Sequence, residues 1–251
     1  VRTSSLLLAV VVVTLAVAPA AAHVAPSVDD NNRYLKLTPL GDRVRLAYTV
    51  FFGDVPGAGE RRSIDANHDG QIDDGEAHAF GEKLAAQVAA QLDVEVDRHA
   101  QPIKWAIVDV GMGTPTVNAG SFSVDLVAWI CLPTVRGTHR VTLRDHFQIP
   151  HAGETEVKVE DSPGVTIDSA HVGPADDPGY DFRFVGLGGP LADDGLVLAF
   201  TAGDKSTVTA DGACTAAAPA SKSGQKMFVL IVGGISFVLT LFAYLMRRAR
   251  R

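Results

Sequence analysis

Twelve consecutive residues, Asp65-Ala66-Asn67-His68-Asp69-Gly70-Gln71-Ile72-Asp73-Asp74-Gly75-Glu76, are dense in oxygen donors. A hard cation such as calcium takes about six to eight oxygens in a nearly spherical shell. Asp65, Asn67 and Asp69 offer side-chain oxygens at positions one, three and five, and Gly70 at six permits a sharp turn that a side chain would obstruct. Gln71 at seven would give its backbone carbonyl, Asp73 at nine would act directly or through water, and Glu76 at twelve would give both carboxylate oxygens. An acidic turn that only caps a helix through Asp73 or Asp74 needs one acid, not ligand and glycine positions filled together. The expected ligands are therefore Asp65, Asn67, Asp69, Gln71, Asp73 and Glu76, and the expected ion is Ca2+.

Such a loop works only if its ends are held. Residues 76–92 read as the exiting helix, since Phe80, Leu84, Val88 and Leu92 recur on one stripe. On the entering side Gly53, Pro56, Gly57 and Gly59 disfavour a long helix, so one or two turns are expected over 58–64. Ile72 at position eight is the apolar residue that pairs with a neighbouring loop, and the sequence holds no second loop of this kind. A lone loop with a poor entering helix predicts weak binding, about 10⁻⁴ to 10⁻³ M, which suits a constitutive structural ion better than a sensing switch.

The surroundings read as β-structure. Residues 43–51 put Val44, Leu46, Tyr48 and Val50 on one face, and 122–130 do the same with Phe122, Val124, Leu126, Ala128 and Ile130. Shorter strands are expected at 140–144, 155–160, 165–168, 181–185 and 196–201, and a strand pair at 92–97 and 101–110. The expected fold is mainly β with an α insert: an antiparallel β-sandwich-like ectodomain carrying the loop and helix, plus one C-terminal transmembrane helix. Trp105 and Trp129 are expected in the core. Asp109, Asp125 and Asp145 are expected on exposed strand faces, and His139, His146 and His151 at the surface. His68 and His78 should point outward, since calcium does not choose imidazole.

The loop 65–76 resembles the EF-hand calcium-binding family over some 30 residues. A wider resemblance rests on Arg33-Tyr34-Leu35-Lys36-Leu37, Asp42-Arg43-Val44-Arg45-Leu46-Ala47-Tyr48-Thr49-Val50, the loop, the helix, Arg144-Asp145-His146-Phe147 and Glu156-Val157-Lys158-Val159. This order is similar to the extracytoplasmic N-terminal domain found ahead of some bacterial nickel/cobalt transporters. In place of the multi-span permease there is one apolar run, so the resemblance implies an accessory role beside a metal permease.

Both ends bear on compartment. Residues 1–22 have Arg2, an apolar run over 6–17 and Ala20-Ala21-Ala22, the pattern of a secretory signal peptide. Residues 227–246 carry no charge and precede Arg247, Arg248, Arg250 and Arg251, so a single span with a cytoplasmic tail (247–251) is expected, after a flexible tether at 212–226. The expected place is the bacterial cytoplasmic membrane, with the body at 23–211 on the extracytoplasmic side. The formal charge is −7 overall, and the body alone holds 15 bases against all 29 acids, or −14. That excludes a nucleic-acid partner, which needs positive charge to displace counterions. Cys131 and Cys214 either form one disulfide or leave Cys131 as a buried thiol. Cleavage after Ala22 would expose His23, whose amine and imidazole suit copper or nickel; a metal-binding periplasmic protein using His23 is the alternative function. No Gly-x-Ser-x-Gly, His-Glu-x-x-His or phosphate loop occurs, and no enzymatic activity is expected.

Overall fold

Alternation along the chain builds two sheets around one core. The computed structural model describes residues 29–186, 189–209 and 214. The expected signal peptide, His23, the tether apart from Cys214, the spanning run and the basic tail lie outside the described residues. Among the described residues no helix is long and apolar enough to cross a membrane. The six-stranded sheet contains β1 (Asn31–Pro39), β2 (Arg43–Phe52), β5 (Trp105–Gly111), β6 (Phe122–Cys131), β8 (Ala152–Val159) and β10 (Asp181–Val185), in the order β10-β8-β1-β2-β6-β5. The five-stranded sheet contains β3 (Leu92–Val96), β4 (His99–Ala100), β7 (Gly137–Asp145), β9 (Val165–Val172) and β11 (Leu196–Ala202), in the order β4-β3-β7-β11-β9. The helices are α1 (Asp54–Ile64), α2 (Asp74–Ala89) and the short α3 (Pro190–Asp193).

In β2 and β6 the inward residues lie opposite one another: Leu46 against Ala128, Tyr48 against Leu126, Val50 against Val124, Phe52 against Phe122. Each of these side chains is buried. In the other sheet Leu143 stands between Val94 and Leu196, and Val141 between Val96 and Leu198. All of them belong to a single buried cluster. The pairing is antiparallel throughout except for β1 with β8, which run parallel.

Several expectations are corrected. α2 ends at Ala89 rather than 92, because Leu92, Val94 and Val96 follow a two-residue period and enter β3. The expected pair of 92–97 with 101–110 does not form. On its hairpin side β3 pairs only with His99 and Ala100, and β5 crosses to the other sheet beside β6. Pro102 lies between them and has no amide to extend a ladder. Trp129 is half-buried with the Arg43 guanidinium 5.5 Å from its ring, not a core residue. His139 is buried, not at the surface: its Nδ1 is 2.8 Å from Asp97 and its Nε2 is 3.0 Å from the Arg136 carbonyl.

Asp145 is the largest departure. It is fully buried, and its Oδ2 accepts from Arg33 and from the Tyr48 hydroxyl, both at 2.8 Å. Its Oδ1 accepts from the Phe147 amide at 2.9 Å. Arg33 also donates to the Phe147 carbonyl at 2.8 Å and to Thr155, so one guanidinium ties β1, β7, β8 and the 146–150 segment together. Burial pushes the Asp145 carboxyl above its ordinary range even with Arg33 beside it, and raises the Tyr48 hydroxyl well above its own.

Cys131 and Cys214 form a disulfide across 83 residues, which resolves the alternative left by the sequence. After β11 the chain returns over the β1–β2 turn, where the Gly41 amide donates to the Thr207 carbonyl at 2.6 Å. A Cβ at Gly41 would meet Ser206 Oγ at 2.6 Å, so that close approach requires glycine. Cross-linking a loop of this length should stabilise by about 2–4 kcal/mol, chiefly by restricting the unfolded chain. Cys214→Ser is expected to lower the urea midpoint accordingly; an unchanged midpoint would show that the bridge adds nothing.

Candidate metal centre

The loop hangs between two helices that the sheet edge holds in place. α2 lies over β5, where a Cβ on Gly81 would sit 2.6 Å from Val110 and the Trp105 indole donates to the Ala85 carbonyl at 2.8 Å. Phe80 meets Phe52 and Phe122 edge-on, each with centroids 5.8 Å apart, and those two rings stack at 4.5 Å. α1 runs eleven residues, longer than the one or two turns expected. Pro56 falls in its first turn, where a missing amide costs nothing. Gly57 is needed for packing: a Cβ there would lie 2.9 Å from the Gly120 carbonyl.

Inside the loop, side-chain oxygens fold the backbone. Asp65, only 5 % exposed, accepts from the Asp69 amide at 3.2 Å and the Gly70 amide at 3.0 Å. Asn67 Oδ1 accepts from the Asp69 amide and Asp69 Oδ1 from the Gln71 amide, both at 2.8 Å. Gly70 has φ +84°, and His68 is also left-handed at +62°. His68 and His78 are exposed. Glu76 reaches across the loop: its Oε1 accepts from the Ala66 amide at 2.8 Å and its Oε2 from the Asp73 amide at 3.1 Å. Asp73 Oδ1 in turn accepts from the Glu76 amide at 2.8 Å, completing a capping box at the start of α2.

Capping therefore accounts for the mutual contact of Asp73 and Glu76, but not for Asp65, Asn67 and Asp69. Among the described residues no three His, Cys, Asp or Glu side chains gather closely enough to enclose a metal ion. Asp65, Asn67 and Asp69 are brought together by shared amides, and Glu76 is drawn to residues 66 and 67. Gln71 has its side chain in solvent, bonded to the Gly70 carbonyl at 3.0 Å. The donor set is all oxygen, as a hard cation requires. Among the described residues the buried Asp65 carboxylate meets loop amides and no cationic side chain.

The partner of Ile72 was not legible in the sequence. Gln71 forms an antiparallel bridge with Thr116; the Ile72 amide donates to the Pro115 carbonyl at 2.7 Å and the Val117 amide to the Gly70 carbonyl at 3.2 Å. The 112–121 segment, which joins β5 to β6, thus takes the place beside Ile72 for which the sequence offered no second loop. Arg61 was also missed. It is fully buried, and burial lowers its pKa from the ordinary value. An open groove of about 1070 Å³ lies between the end of α1, α2 and the 147–150 segment, and Asp73 and Glu76 line it. No protein-family model matches the chain, and no match was found among curated proteins.

Proposed function

We propose that the chain is a membrane-anchored, extracytoplasmic calcium-binding protein whose ion is mainly structural. In this reading the body is a β-sandwich-like ectodomain carrying an EF-hand loop, and residues 227–246 are its single membrane span. The observation that carries the proposal is the buried Asp65 carboxylate, whose only described partners are the amides of a loop turned at Gly70. A calcium ion would supply the missing positive charge, held by Asp65, Asn67, Asp69, the Gln71 carbonyl, Asp73 and Glu76. Four acids within one loop (Asp65, Asp69, Asp73, Glu76) repel one another without a cation, so the ion would staple α2 to the sheet. The Cys131–Cys214 disulfide agrees with an oxidising compartment. The transporter-domain resemblance supports a role accessory to divalent-metal uptake, with a metal permease as partner.

The test is thermal unfolding with calcium or with chelator. For a dissociation constant of about 10⁻⁴ to 10⁻³ M, ten millimolar calcium should add roughly 1.4–2.7 kcal/mol. That corresponds to about 3–10 °C in Tm for a domain of this size. Glu76→Gln should remove most of the gain. Melting curves that coincide with and without calcium would overturn the assignment.

A further inference from the structure

We propose that residues 112–121 are the pairing partner that braces the cation loop and that Arg61 is the positioning residue, an inference that rests on the calcium reading above. Arg61 sits one turn before Asp65, and its carbonyl accepts the Asp65 amide at 3.2 Å. Its guanidinium has five N–H donors in a rigid fork, and each meets a backbone carbonyl of this one segment. Nε donates to Gly120 at 3.0 Å, Nη1 to Thr114 at 2.8 Å and Thr116 at 3.2 Å, and Nη2 to Ser121 at 3.2 Å and to Met112. The group also lies 5.4 Å from the centre of the Phe122 ring.

A loop whose carbonyls converge on a buried positive group is wound as a metal-binding loop is wound. Here the cation is covalently tethered to α1. The Asp54 carboxylate accepts from the Ser121 amide at 2.9 Å and closes the same segment onto the first turn of α1. The two loops then share a two-bond bridge at Gln71 and Thr116, and the Thr116 carbonyl is itself one of the Arg61 acceptors. The path from guanidinium to ion loop therefore runs from the Arg61 side chain to the Thr114 and Thr116 carbonyls, and from Pro115 and Val117 through backbone bonds to Ile72 and Gly70. A segment fixed in this way holds positions six to eight of the ion loop, so it sets how much ordering the ion must bring about on binding. A lone loop lacks that support, and its affinity falls.

Two measurements on the full chain test this. In the wild type, amide hydrogen exchange at Ile72 and Val117 should slow at least fivefold on adding calcium, while amides of β11 stay unchanged. In Arg61→Lys, calcium titrated calorimetrically well below Tm should bind at least tenfold more weakly. Lysine keeps the charge but has three donors for five carbonyls. Glu76→Gln marks the loss of most of the binding. If the wild type binds calcium but Ile72 and Val117 exchange at one rate with and without it, the coupling is overturned. It is overturned equally if Arg61→Lys binds within twofold of wild type. A wild type that binds no calcium overturns the calcium reading itself, a distinguishable result.

Discussion

Arg33→Met is expected to cost about 3–5 kcal/mol of stability, because it leaves the fully buried Asp145 carboxylate without its counter-charge. The remaining donors, the Tyr48 hydroxyl and the Phe147 amide, are neutral and do not compensate a charge in the core. For a domain of this size the loss should appear as a fall of roughly 6–20 °C in Tm. Replacing the whole set by apolar residues of similar volume, Arg33→Met with Tyr48→Phe and Asp145→Leu, should recover most of it. Urea unfolding of the two variants beside wild type decides the matter. A loss under about 1 kcal/mol in Arg33→Met would show that Asp145 sheds its charge without penalty. The pair spans the two sheets and fixes the 146–150 segment through Phe147, so the groove wall should loosen in the same variant.

Phe122→Ala is expected to destabilise by about 3–5 kcal/mol through lost burial and the cavity left behind. The ring is stacked on Phe52, meets Phe80 of α2 edge-on and lies beneath the Arg61 guanidinium. One substitution thus loosens both helices that carry the 65–76 loop. Chemical denaturation gives the size of the effect. If calcium binds as proposed, the variant should also bind more weakly at a temperature where it is still folded. Phe122→Leu should cost markedly less, since it refills much of the space; equal losses would show that ring geometry rather than volume is at work.

What could be read from the sequence was what neighbours along the chain decide. β2 and β6 were legible because one face of each is a run of aliphatic and aromatic side chains at alternate positions. The candidate ligands were legible because all six lie within twelve residues. β1 was less so, since Asn31 and Arg33 occupy inward positions beside Leu35 and Leu37. The burial of Asp145 is dictated by Arg33, 112 residues away, and no local pattern reports it. The same holds for α1: glycine at 57 signals a weak helix, yet it is there because the Gly120 carbonyl presses against it. Pro115–Val117 carries no motif, so the pairing of Ile72 appears only once the β5–β6 connection folds back.

The covalent bridge between Cys131 and Cys214 also sets the mechanical load path. Tension applied to the chain beyond residue 214 enters the protein at the end of β6, flanked by β2 and β5 in the six-stranded sheet, and bypasses residues 203–213. The last strand, β11, is thereby shielded from being unzipped off its neighbours one hydrogen bond at a time. Reduction would move the point of pull to β11 itself, so single-molecule stretching from the C-terminal side should yield at lower force in reducing buffer.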